Sequence, residues 1–144
     1  MGLEHITDAS GNSVLMKRQF VITVDADKTV SKDETGSAVV LSDATGHDIT
    51  LPPVEKDLVY DVIIGAAFAT DNWVVASSEG GNISGVIADL GTTVAGVIAA
   101  DEDQINFVAS AETVGDMVRF VCDGTNWIVS GHCGANGGIT ATAA

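Results

Sequence analysis

The stretch that most constrains the fold is Asp116–Gly131, DMVRFVCDGTNWIVSG. Two alternating runs, Met117–Cys122 and Trp127–Ser130, flank Asp123-Gly124-Thr125-Asn126. Asp-Gly between such runs is a strong hairpin signal, because a tight turn there needs positive φ and glycine adopts it without strain. A two-residue loop at Asp123-Gly124 pairs Phe120 with Trp127; a four-residue loop pairs Phe120 with Val129 and Cys122 with Trp127. Strand side chains alternate, so in either register Val118, Phe120, Cys122, Trp127 and Val129 share one face. That apolar face needs a cover, while Arg119, Val121, Ile128 and Ser130 make the opposite face mixed.

The rest of the chain supplies more of the same material. Short runs rich in valine and isoleucine recur at Gln19–Val24, Ser37–Ser42, Ile49–Leu51, Leu58–Ile64, Trp73–Ser77, Ile83–Ala88, Thr92–Ala99 and Gln104–Ala109. Among 144 residues, 46% are apolar but only 5% aromatic, and 16 glycines punctuate the runs. This pattern, without helical periodicity, predicts an all-β protein, an antiparallel β-sandwich or barrel of short strands. Ser31-Lys32-Asp33-Glu34 has the spacing of a capping box and Gly36 that of a helix end, so one helical turn is expected there. Pro52-Pro53 stops Ile49-Thr50-Leu51, which reads as an edge strand. Leu58–Ile64 followed by Asn72-Trp73-Val74-Val75 parallels Met117–Cys122 followed by Asn126-Trp127-Ile128-Val129, suggesting an internal pair of tryptophan hairpins.

Three segments follow from this reading: an N-terminal arm over 1–18, a single β domain over 19–133 and a C-terminal tail over 134–144. The arm is expected to be flexible, since it is small, polar and lacks a clear pattern. Its one apolar foothold is Val14-Leu15-Met16, followed by Lys17-Arg18; these five residues are the candidate binding segment.

Charge narrows the partners. Six basic residues against twenty acids give a formal net charge of −14, which speaks against nucleic acid, whose phosphates need Lys and Arg. No run approaches the length of a membrane span, and the N-terminus lacks the apolar core of a signal peptide, so cytoplasmic synthesis is the default. Cys122 and Cys133 lie too far apart along one ribbon to bridge. No phosphate loop, dinucleotide fingerprint, nucleophile elbow or zinc-protease motif occurs. Asp25-x-Asp27-x-Thr29 opens like a calcium loop, but Val30 and Gly36 stand where the glycine and the closing acid belong. His132-Cys133 with Cys122 offers too few ligands for zinc. No catalytic, cofactor or metal site is therefore assigned, and the expectation is that the chain is not an enzyme.

Two stretches carry a resemblance. Ile49-Thr50-Leu51-Pro52 after a glycine-containing turn, and Gly115-Asp116 through Asp123-Gly124-Thr125-Asn126-Trp127 to Gly131, resemble small structural proteins of tailed-phage virions. The similarity is greatest to head decoration or stabilisation proteins and covers roughly Gln19 to Gly138. It implies a β-rich body that assembles as a homotrimer on the capsid exterior and binds the major capsid protein. Tail- and head-fibre modules carry similar hairpins, which leaves a fibre module binding a host receptor or glycan as the alternative.

Overall fold

A computed structural model describes residues 2–7, 13–91 and 96–143. Among the described residues there are fourteen strands: β1 Gly2–Thr7, β2 Ser13–Arg18, β3 Val21–Val24, β4 Lys28–Thr29, β5 Ala38–Leu41, β6 Asp48–Thr50, β7 Val59–Ile64, β8 Trp73–Ala76, β9 Ile83–Asp89, β10 Val97–Glu102, β11 Gln104–Phe107, β12 Met117–Cys122, β13 Trp127–Cys133 and β14 Ile139–Thr142. β1 and β2 form a sheet of their own. The body is a seven-stranded sheet, β10-β9-β13-β12-β7-β5-β3, and a five-stranded sheet, β14-β11-β8-β6-β4. The expected capping box closes a single 3-10 turn at Lys32–Glu34, where the Ser31 N–H donates to Glu34 Oε1 at 2.9 Å.

The sheets are mixed rather than antiparallel, and the order of the strands explains why. From β3 to β8 the chain alternates between sheets, so that β3, β5 and β7 pair in parallel in one while β4, β6 and β8 pair in parallel in the other. Three circuits of one winding result. Each circuit brings an aliphatic residue back to the same height: Ile22, Val39, Val62 and Val118 are register neighbours, as are Val24, Leu41 and Ile64. In the facing sheet Ile49, Val75, Ile105 and Ala141 do the same. These rows interlock in one core with Tyr60, Phe68, Trp73, Phe107, Phe120 and Trp127, all essentially fully buried. The winding also removes the expected second tryptophan hairpin. β7 and β8 lie in different sheets, because the segment Gly65–Asn72 crosses between them instead of folding back. Nor is β6 an edge, since β4 pairs beyond it.

The hairpin β12–β13 adopts the four-residue connection, with Phe120 opposite Val129 and Cys122 opposite Trp127. Asp123 selects it: Oδ1 accepts from the N–H groups of Thr125 at 2.9 Å and Asn126 at 2.8 Å, and Gly124 takes φ 103°. Those backbone bonds hold the exposed Asp123 carboxyl below the usual range. Val118, Phe120, Cys122, Trp127 and Val129 all face the core, covered by the five-stranded sheet. At the base of the hairpin, buried Asp116 accepts from Thr113 N–H at 2.9 Å and Gly134 N–H at 2.8 Å. Both cysteines are free and buried.

Three expectations at the margins need correction. Residues 134–144 are no featureless tail: β14 pairs along β11 and buries Ile139. The body therefore runs on to Thr142, because Ile-Thr-Ala-Thr is enough alternation to finish a sheet edge. The acidic stretch Ala100–Asp103 is not a simple turn, since β10 runs to Glu102 through an irregularity at which Asp101 takes φ 55°. And the arm is not unpatterned. Gly2–Thr7 pairs antiparallel with Ser13–Arg18, from Gly2 opposite Arg18 to Thr7 opposite Ser13. Residues 8–12, which hold the Ser10-Gly11-Asn12 cluster, and 92–95, at the start of the expected strand Thr92–Ala99, lie outside the described residues.

Candidate functional site

The candidate arm residues Val14, Leu15, Met16, Lys17 and Arg18 all fall on β2, paired in register with Ile6, His5, Glu4, Leu3 and Gly2. The hairpin belongs to neither body sheet. Its root, however, is fixed: Gln19 Nε2 donates to Asp61 Oδ2 at 2.7 Å. Asp61 stands on β7 between Tyr60 and Val62, whose side chains enter the core, so its carboxylate projects from the outer face of the seven-stranded sheet. There Arg119, its register neighbour on β12, donates from Nε at 2.7 Å and from Nη2 at 3.0 Å. Two donors and Gln19 enclose the carboxylate, leaving it buried on an open face. The Arg119 hydrogen bond outweighs burial and holds the Asp61 carboxyl below its ordinary range.

The line Val21, Ala38, Asp61, Arg119, Ser130, Val86 runs straight across this face in register. A parallel line holds Val59, Val121, Ile128 and Ser84. Val21 is 65% exposed, Val86 61%, Ile128 44% and Val121 37%. The patch is largely apolar; its Asp61 carboxylate is paired with Arg119, and the exposed Asp101 carboxylate stands at the β10 edge, 3.4 Å from Ser84 Oγ. The five-stranded sheet is unlike it. Its outer side carries Thr50, Ala76, Gln104 and Thr142, and an amide–hydroxyl ladder in which Asn106 Nδ2 donates to Thr140 at 3.2 Å and Thr142 at 3.1 Å. That side is polar, and Asn106 itself is buried.

The residues with chemically active side chains do not converge. His132 lies on the outer side of β13 and buried Cys133 on the inner. Burial, foremost, raises the Cys133 thiol. Asp27 does not face a calcium loop; its Oδ1 accepts from Asp48 N–H at 3.0 Å and lies 3.5 Å from His47 Nδ1. His47 Nε2 is 2.6 Å from Asp43 Oδ2, and its ring meets Trp73 edge-on with centroids 5.1 Å apart. The hydrogen bond from His47 lowers the Asp43 carboxyl. These residues border an open cleft of about 520 Å³ lined by Asp27, Asp48, Asp71 and Asn72. Its geometry is that of a hydrogen-bonded loop clasp. Among the described residues no group of three His, Cys, Asp or Glu side chains is placed to hold a metal ion.

No protein family, curated protein or solved structure matches the chain. Sequence reasoning missed Asp61 and Gln19. An aspartate inside the run Val59–Ile64 was the available signal, since a lone acid in a strand interior has to be paired or outward-facing.

Proposed function

We propose that this chain is a structural protein of a phage virion that decorates and stabilises the capsid, binding its outer surface as an oligomer, with the major capsid protein and its own copies as partners. It works without catalysis or cofactor, on the exterior of the shell after synthesis in the host cytoplasm. One observation carries the reading: a broad, largely apolar sheet face with few charges is left uncovered on a chain of charge −14, next to a β-hairpin that neither body sheet incorporates. A two-stranded hairpin is marginal alone in water, so β1–β2 gains its stability from a partner. Strand addition or packing along a shell subunit would supply that. The sequence resemblance to head decoration proteins points the same way.

The fibre alternative finds less support. A glycan platform needs exposed aromatic rings, and among the seven aromatic residues Tyr60, Phe68, Trp73, Phe107, Phe120 and Trp127 are interior, leaving Phe20 outside. The deciding experiment is co-sedimentation of purified protein with DNA-filled heads prepared without it. Saturable binding at a fixed ratio to the major capsid protein is expected. Heads that pellet bare, with protein retained on host cells instead, would favour the fibre module.

A further inference from the structure

We infer that the outer face of the seven-stranded sheet is where copies of this chain meet one another, leaving the N-terminal hairpin free for a different partner. The inference deepens the oligomeric part of the proposed function and is independent of what shell, if any, is bound.

Charge selects the occupant. All of the −14 lies in residues 19–144: residues 1–18 hold Glu4 and Asp8 against Lys17 and Arg18, which cancel. Two bodies of that charge repel least through surfaces that carry little of it. On the outer face the central register line contains one acid, Asp61, and Arg119 neutralises it at 2.7 Å; a second acid, Asp101, stands at the β10 rim, its Oδ1 3.4 Å from Ser84 Oγ. A face whose centre is apolar and whose central acid is paired is complementary to itself, whereas against an acidic or basic partner it would forfeit the partner's hydration without return. The area suffices. Seven strands spaced about 4.8 Å and running about 20 Å give a footprint of about 600 Å², close to the roughly 800 Å² of accessible surface each partner buries in a stable interface. The exposed residues also sit where an interface centre would: Val121 and Ile128 are cross-strand neighbours on β12 and β13, inside the sheet, and Val86 follows on β9.

The buried state of both native cysteines makes the test direct. Ile128→Cys places one exposed thiol on this face, and Thr29→Cys places one on β4 of the other sheet. A short bis-maleimide should link copies of the first variant at micromolar concentration and leave the second unlinked. In parallel, Ile128→Asp with Val86→Asp should sediment as a 14.7 kDa chain with the parent's tryptophan emission, while Thr29→Asp keeps the parent's sedimentation. A parent that is monomeric, a linked Thr29→Cys with an unlinked Ile128→Cys, or loss of association on removing residues 1–18 alone would each overturn the assignment. Head binding is scored separately, so a failed interface and a failed shell reading give different results.

Discussion

Two residues set opposite demands on the seven-stranded sheet. Trp127 fills the interior, fully buried with its ring 5.9 Å from that of Tyr60. Its removal leaves a large cavity between sheets that cannot close, so Trp127→Ala should cost about 3–5 kcal/mol in chemical denaturation. A variant unfolding at the parent's midpoint would contradict the packing. Asp61 holds the exterior. Its folded value is depressed, so its contribution is fully present above the unfolded carboxylate value, near pH ~4, and is lost as pH falls through the lower folded value. Unfolding midpoints measured downward from neutral pH should therefore fall less steeply in Asp61→Asn than in the parent through that acid window. Identical slopes would mean that the Arg119 pair contributes nothing. The tryptophan was readable in advance from alternation alone. The Asp61–Arg119–Gln19 cluster was not, because it joins residues on β7 and β12 and before β3 that only the completed sheet makes neighbours.

At the scale of elements, the winding from β3 to β8 depends on close passage of its loops. Gly46 lies against the backbone carbonyls of Asp71 and Asn72, where a Cβ would collide with main-chain atoms. Gly46→Ala should thus destabilise by about 2 kcal/mol, with the shift visible in thermal melts. Gly115→Ala, whose Cβ would meet open space, pays only for its φ of 99°, about 1 kcal/mol. The hairpin β1–β2 makes the opposite prediction. Because it stands outside both sheets, deletion of residues 1–18 should leave the melting point nearly unchanged while weakening attachment to heads; full-strength binding would strip Val14–Arg18 of their role. Strand existence was legible from apolar runs, and β12–β13 down to two registers. Parallel pairing was less so. The near-continuous run Val59–Ile64 is what a parallel strand looks like, but the similar Asn-Trp steps made a second hairpin the simpler reading. Short strands such as Ile139–Thr142 carry too few residues to stand out from a polar tail.

The described body is acidic with one largely apolar side. Association through that side works against the mutual repulsion of the remaining surface, which salt screens: the screening length falls from about 30 Å at 0.01 M to about 10 Å at 0.1 M. Raising ionic strength should therefore tighten self-association, as measured by the concentration dependence of sedimentation. An interface made of intermolecular ion pairs would loosen instead. The mixed topology also sets a schedule for assembly. The ends of β12 and β13 are four residues apart and can zip within microseconds. The partner that β13 needs on its other side, β9, sets Ile83 opposite Trp127, and the two meet only after the intervening chain has found its place. Each circuit of the β3–β8 winding likewise closes on a strand from the previous one. Such non-local pairings slow a chain to milliseconds or seconds, and through that interval the valines and isoleucines of both faces stand open together. A newly made chain is then at greatest risk from its own neighbours, and the acids that keep finished bodies apart are also what keeps unfinished ones in solution.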